Sequence, residues 1–318
     1  LLDGLTWSGT QIAQRSAASD PWKAMLVIRN EIYLLGDKTG EVWYNRGSSP
    51  FPFAKRPGAL FETGSDAPWS LAALGSSMAW LGRSARGNGI VYWLNGYSPN
   101  RISNNALEWA IQSYKDSNGI SDAIGWSYDA LGHSFYVLEF PAAGKTWVYD
   151  SLTQHWHERG RWNSTDNVFD PYRPRFHALL WNKNLVCDSA SNTIYSLSST
   201  VYTDVGGSEL RRVRRSPHLS KENKAIFLDY FEVECERGVG LASGQGSDPQ
   251  LMFRFSGDGG RTWSNERTGS LGKMGQYGQS VAWERCGRGR DVVVEVSCSD
   301  PVPLRIFEAY FNARMGAH

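Results

Sequence analysis

Three places in this 318-residue chain gather residue types that could do chemistry. His155 and His157 flank Trp156, and strand periodicity puts both imidazoles on one face with Glu158 opposite. An H-x-H pair can ligate a metal ion, but no third ligand follows nearby and His177 is distant in sequence. Polar strand-face histidines are the simpler reading, so neither a metal nor a cofactor is expected. Arg211, Arg212, Arg214 and Arg215 form the densest basic cluster, a candidate for phosphate or interface contacts. Glu209, Glu222 and Glu236 dilute it locally, as in a solvated loop. Finally, SGDGGRTW at 256–263 sets a hydroxyl, a carboxylate and a second hydroxyl around a glycine-rich reversal.

That string fits S-x-D-x-G-x-T-W, the Asp box found in sialidases and other β-propeller proteins. A hairpin accounts for every position. Leu251, Phe253 and Phe255 alternate with Met252 and Arg254, the signature of a strand with one buried face. Gly257, Gly259 and Gly260 supply positive φ, and the Asp258 carboxylate can accept from loop amides. Trp263 is expected to restart an outgoing strand and fold its indole back as an apolar plug. Ser256, Asp258, Gly260, Thr262 and Trp263 are therefore assigned to a structural turn. As a buried plug, Trp263→Ala would cost roughly 3–5 kcal/mol and remove no catalytic activity. Sialidase chemistry needs three arginines converging on a carboxylate, a tyrosine nucleophile activated by a glutamate, and an acid aspartate. With 24 Arg some would fit by chance, and one clear Asp box is fewer than such enzymes usually carry. No P-loop, dinucleotide fingerprint or nucleophile elbow is present, and GRGRD at 287–291 reads as a turn. No catalytic residue is assigned.

The elements that must hold these groups are strands. Apolar residues make up 41% of the chain and charged residues 20%, a globular composition. No stretch approaches the roughly 20 apolar residues of a spanning helix, so no membrane insertion is expected. Cys187, Cys235, Cys286 and Cys298 have no C-x-x-C spacing, and Cys235 and Cys298 sit on the apolar phase of strand-like runs. That suits assembly in a reducing cytoplasm. A net charge of +1 argues against a dedicated duplex-DNA binder. The 24 Arg against 9 Lys and the 14 Trp suit protein interfaces, although a GC-rich genome explains the arginines equally well.

A blade-like unit recurs in the first two thirds: NEIYLLGDKTGEVWYN (30–45), SSMAWLGRSARGNGIVYWLNG (76–96), GHSFYVLEFPAAGKTWVYDSLTQHW (132–156) and KNLVCDSASNTIYSLSS (183–199). Aligning Tyr44, Trp93, Tyr149 and Tyr195 gives offsets of 49, 56 and 46 residues, near the period of propeller blades. In the third copy Tyr149, Asp150, Thr153 and Trp156 follow the Y-D-x-x-T-x-x-W order of a kelch-type structural turn. One helix interrupts, with Ser103 as the expected N-cap and Leu107, Ala110, Ile111 and Tyr114 on one face. It would serve as structural cover or as an oligomer contact. Beyond residue 205 the chain turns polar and basic, then alternates strictly in FEVECE and DVVVEVSC. The fold class expected is all-β. Residues 1–205 form β-propeller-like blades with an inserted helix, incomplete at the N-terminus. A basic loop or linker follows at 206–224, then a C-terminal antiparallel β unit at 225–318. Whether that last unit is a further blade or a small sandwich is left open.

Four longer runs stand out: GEVWYNRGSSPFPFAKRPGA (40–59), LNGYSPNRISNNALEWAI (94–111), GHSFYVLEFPAAGKTWVYDSLTQHWHERG (132–160) and FSGDGGRTWSNERTGSLGKMGQYGQSVAWERCGRGRD (255–291). In these runs the chain is similar to the tail-hub, or packaged-DNA stabilisation, family of short-tailed bacteriophages. The resemblance covers most of residues 20–315 and is least distinctive in the basic loop and the FEVECE lead-in. Family members usually carry substantial sequence before the position matching Leu1. The resemblance implies a structural protein of the virion tail (the nozzle), assembled in the host bacterial cytoplasm. Copies of it would form a six-fold ring, a conduit below the portal and adaptor proteins. That ring would retain packaged DNA and pass it on ejection, touching it transiently and non-specifically. It would also anchor tail fibre, spike or needle proteins. A glycan-binding or sialidase-like propeller and a monomeric kelch- or WD40-like interaction scaffold are the alternatives.

Overall fold

Short turns between period-2 segments let each strand pair with its predecessor, and the whole chain follows from that local rule. The computed structural model describes residue 14 and residues 19–85 and 87–316. The opening LLDGLTWSGT, expected to belong to an incomplete strand unit, lies outside the described residues. The chain divides into two compact units, Leu1–Arg161 with Phe169–Leu197, and Trp162–Val168 with Ser198–His318.

The first unit is a succession of antiparallel meanders. β1 (Trp22–Ile28), β2 (Glu31–Gly36), β3 (Gly40–Asn45) and β4 (Phe53–Phe61) pair in that order. The second sheet contains β5 (Gly64–Ser65), β6 (Ala72–Leu74), β7 (Ser77–Ser84), β8 (Gly87–Asn95) and β9 (Ser98–Arg101), with both β5 and β6 against β7. After helix α1 (Asn105–Ser117) come β10 (Ile124–Ala130), β11 (His133–Phe140), β12 (Lys145–Asp150) and β13 (His155–Arg159), again in sequence order. A short hairpin follows, β14 (Arg161–Asn163) and β15 (Val168–Asp170), of which Trp162–Val168 belongs to the second unit. The fourth sheet is β16 (Pro174–Leu180), β17 (Lys183–Asp188) and β18 (Ile194–Leu197). Tyr44, Trp93, Tyr149 and Tyr195, the aromatics that align the sequence repeat, lie on β3, β8, β12 and β18. Three first hairpins close on two residues with positive φ: Arg29–Asn30, Leu131–Gly132 and Trp181–Asn182. Such turns match the natural twist of paired strands.

Alternation decides how these sheets stack. On β7, Met78 and Trp80 join one core with Tyr33, Leu35 and Phe61 of the first sheet, while Ala79 and Leu81 join another with Tyr136, Leu138 and Phe140 of β11. On β11 the intervening Val137 turns to a further core with Trp126, Val148 and Val186. Successive residues of one strand thus serve successive neighbours, which is the packing logic of a propeller. Helix α1 adds Leu107 and Ile111 to the middle core, and Tyr114 packs on Phe140 at 5.3 Å between ring centroids. Its cap is Asn104, whose Oδ1 accepts from Leu107 N at 2.9 Å. The expected cap, Ser103, is occupied otherwise: its Oγ accepts from Val91 N at 3.1 Å and donates to Glu108.

The second unit is a sandwich. β19 (Arg212–Arg215), β20 (Ile226–Cys235), β21 (Gln250–Ser256), β22 (Arg267–Ser270), β23 (Val281–Gly289), β24 (Val293–Cys298) and β25 (Ile306–Met315) form two sheets, ordered β19-β24-β21-β22 and β23-β20-β25. Phe231, Val233 and Cys235 face Leu251, Phe253 and Phe255, with Trp283, Val294, Val296 and Cys298 in the same core. The open choice between a blade and a sandwich is decided for the sandwich. Residues 206–224 differ from the expected linker, because Arg212–Arg215 pairs with β24 from Cys298 to Glu295. No helix among the described residues is long and apolar enough to cross a membrane.

Candidate functional site

The Asp-box loop joins β21 to β22. Asp258 Oδ1 accepts from Arg261 N at 3.0 Å and Thr262 N at 2.9 Å, and Oδ2 accepts from Thr262 Oγ1 at 2.7 Å. Ser256 Oγ donates to Asp258 Oδ1 at 2.8 Å and accepts from Gly260 N at 2.8 Å. The Thr262 amide and hydroxyl, followed by Ser256, hold the Asp258 carboxyl well below the usual carboxylate range. Gly259 and Gly260 take φ of +74° and +88°. Gly257 serves differently: a Cβ there would sit 2.7 Å from the Arg288 carbonyl oxygen, so its absence lets β23 approach.

Trp263 departs from the expected plug. It is half-buried, outside any strand, and β22 starts only at Arg267. Its Nε1 donates to Gly260 O at 3.0 Å, and its ring lies 5.3 Å from the Arg215 guanidinium and 4.9 Å from that of Arg254. A half-open indole held by one hydrogen bond and two cations contributes less than a core aromatic. Trp263→Ala is therefore expected to cost about 1–2 kcal/mol rather than the larger core value. Urea unfolding of the variant tests this, and unchanged stability would refute the role.

The arginine cluster meets this loop. Arg215 and Arg254 lie on either side of Glu295 across the sheet, and their Nε groups each donate to it at 2.5 Å. Glu295 is 1% exposed. Burial raises its pKa, but the bonds from Arg254 and Arg215 outweigh that and leave the carboxyl below its ordinary value. Arg211 donates to Glu266 and to Ser297 Oγ, and stacks 4.6 Å from the Trp162 ring. Arg212 donates to the carbonyls of Asp300 and Val302. Among the described residues only Arg214 of the four has no side-chain partner. Three candidates for phosphate contact are thus held by partners in their own unit. Sequence reading passed over Glu295, although a lone acid inside VVVEV was a signal that a cation must lie beside it.

The kelch-like turn connects β12 to β13. Tyr149 pairs across from Trp156 with ring centroids 5.2 Å apart. Asp150 accepts from Leu152 N at 3.0 Å and Thr153 Oγ1 at 2.9 Å, and lies 2.8 Å from His133 Nδ1. Trp156 Nε1 donates to Ile102 O at 2.7 Å. The same device recurs at Asp188, which accepts from Ala190 N and Ser191 Oγ and pairs with Arg173. His155 is exposed beside the Thr153 carbonyl, His157 pairs across from Val148, and His177 bonds Asn184 and stacks on Trp126. Among the described residues no group of three His, Cys, Asp or Glu is placed to hold a metal ion.

A second constellation went unnoticed in the sequence. Buried Glu31, at the start of β2, accepts from Arg56 Nε, from Tyr97 OH at 2.9 Å and from Tyr33 OH at 3.1 Å. The Arg56 guanidinium lies 5.5 Å from each of the Tyr44 and Tyr97 rings. Glu31, Arg56 and Tyr44 border an open basin of about 690 Å³ that Arg29 also lines, while Tyr33 and Tyr97 line a smaller pocket that shares Arg29, Glu31 and Arg56 with it. A tyrosine–glutamate pair and two arginines come nearest to the sialidase set, but among the described residues neither a third arginine nor an aspartate lines the basin. Burial, then the bond to Glu31, pushes the Tyr33 phenol up to about 12. A raised folded-state value means stability that is full below the unfolded tyrosine value of 10.0 and lost as pH rises through about 12. Comparing Tyr33→Phe with the parent across that window should show the variant losing less stability.

Two family models match the chain. Residues 1–202 match bacteriophage P22 Gp10, beta-propeller, and residues 211–314 match bacteriophage P22 Gp10, beta-sandwich. No curated protein matches. Among solved structures the chain is similar to an exo-beta-1,3-galactanase from Phanerochaete chrysosporium, at 9% identity and a TM-score of 0.30, covering 90% of this chain and 80% of that one. It is also similar to a glycoside hydrolase family 43 arabinoxylan arabinofuranohydrolase from Bacillus subtilis, at 11% identity and a TM-score of 0.22, covering 88% and 67%.

Proposed function

The chain belongs to the bacteriophage P22 Gp10 family, and from that premise we propose that it acts as a closed ring in the tail, a conduit for the genome. It is a phage structural protein and a component of the virion. In the proposed role, six copies close head-to-tail below the portal and adaptor. They retain packaged DNA, let it pass on ejection and anchor fibre, spike or needle proteins. Assembly takes place in the host cytoplasm, which suits the buried free thiols of Cys235, Cys286 and Cys298.

The observation that carries this reading is the pair of family matches, propeller then sandwich, along one chain. Physical arguments support it. A conduit should not grip its cargo, and each neutralised phosphate adds binding, so a net charge of +1 suits passage. The arginine cluster offers little grip when three of its four members are paired internally. Ring closure needs a heterologous interface. Trp69, Trp109 and Trp181, each more than 70% exposed, are the anchors such an interface favours.

End-on averages of negatively stained native tails carrying this chain test the proposal. A six-fold ring with an axial channel supports the conduit. Isolated propellers on tails that still hold their DNA would overturn it.

A further inference from the structure

From the geometry of the open basin on the first unit we infer a binding site for an acidic saccharide, a role separate from the ring. The basin lies where the β1–β2 turn, the end of β3 and the start of β4 come together. It offers three kinds of group. Arg29, exposed on a turn with φ of +51°, has no side-chain partner among the described residues. Arg56 is fixed by Glu31 through Nε and flanked by two tyrosine rings, while its terminal Nη groups have no protein acceptor among the described residues. Two guanidinium groups with free donors suit a carboxylate, and Arg56 is oriented in advance.

The remaining lining distinguishes a sugar from a simple anion. Tyr44 and Phe53 line the basin and are half-buried, and the Arg56 guanidinium lies 5.5 Å from the Tyr44 ring. A pyranose has faces of C–H groups that pack on aromatic rings and an edge of hydroxyls that needs donors and acceptors together. Asn30 and Asn45 supply such amides, and the Asn45 carbonyl is steadied by Gly47 N at 2.9 Å. Extended peptide would instead seek a run of free backbone groups. Most of the lining comes from the β1–β2 turn, from β2 and from the end of β3, with the edge strands β1 and β4 contributing Val27, Phe53 and Arg56. At about 690 Å³ and open to solvent, the basin admits two or three sugar rings of a longer chain.

Binding rather than cleavage is what the site can do. Glycoside hydrolysis uses two carboxyl groups, one able to give up a proton. Glu31 is the one carboxylate lining the basin among the described residues, and three donors from Arg56, Tyr97 and Tyr33 stabilise it in its charged form.

Calorimetric titration of the whole chain with oligogalacturonate, oligomannuronate and oligosialate tests the inference, with neutral galacto-oligosaccharide and hexaglutamate as controls. At least one acidic saccharide should bind about tenfold more tightly than either control. Arg29→Asn keeps a residue that tolerates positive φ, and should weaken that binding about tenfold without moving the unfolding midpoint. Phe53→Leu, which keeps apolar volume but removes the ring face, should weaken the saccharide several-fold and leave hexaglutamate unchanged. The inference is overturned if none of the three acidic saccharides binds at millimolar concentration. It is overturned equally if hexaglutamate binds as well as they do, or if binding ignores both substitutions.

Discussion

Replacing Glu295 by alanine should lower the stability of the sandwich unit by about 3 kcal/mol near neutral pH, the figure usual for breaking a partly buried ion pair. The carboxylate is 1% exposed and each of its oxygens takes an arginine Nε. Its removal leaves two cations facing each other across the central strand. Arg215, with 60% of its side chain exposed, can turn to water, which moderates the loss. Arg254, at 30%, is less free to do so, and Trp263 rests on both. The effect should depend on pH with a definite sign. Because the folded-state pKa is lowered, Glu295 stabilises fully above the unfolded value of 4.5, and that contribution disappears as pH falls through the folded value. The gap between parent and variant in urea unfolding should therefore close in acid. A variant as stable as the parent at neutral pH would mean that the pair is not what holds the outer face of this sheet.

The same residue marks where the sequence stops being readable. Strand β20 was legible because its burial largely alternates, which one segment displays by itself, whereas β24 is buried on both faces, Glu295 included, and only its apolar phase was legible. The Asp-box and kelch-like turns were legible for a similar reason: donor and acceptor lie within four residues of each other, as from Asp258 to Thr262. The repeat was legible in β2–β3, β7–β8, β11–β12 and β17–β18, and not in the strands that flank these pairs. Edge strands are looser, and β1 exposes Met25 and Val27 while β4 breaks register opposite Glu41 and Trp43. β19 read as a solvated charge run because its partners come from far along the chain: Glu295 for Arg215, the Asp300 carbonyl for Arg212. Arginines paired by tertiary structure look the same in sequence as arginines facing water. The basin was hidden likewise, since Tyr97 reaches Glu31 across 66 residues. Ser103 and Asn104 were both plausible caps, and what separated them was the β8 amide of Val91, which claims Ser103.

Phe253→Ala should cost more than any surface change in this unit, about 4 kcal/mol. Phe253 is fully buried, stacks on Trp283 at 5.0 Å between centroids, and lies 5.4 Å from Phe231. It belongs to β21 in one sheet, and its two ring partners to β23 and β20 in the other, so this triad joins the two layers. Truncation opens a cavity between stiff sheets that cannot close by moving one side chain. Phe253→Leu should cost less, since most of the volume remains and chiefly ring contacts are lost. The ranking is more informative than any one value. If the core dominates, Phe253→Ala exceeds Glu295→Ala, which exceeds Trp263→Ala, when all three are measured by urea unfolding at one pH. Were Glu295→Ala the most damaging, the polar outer face would be the principal support of the sandwich. Its arginines would then be structural before they are anything else, and phosphate contact would have to rest on Arg214.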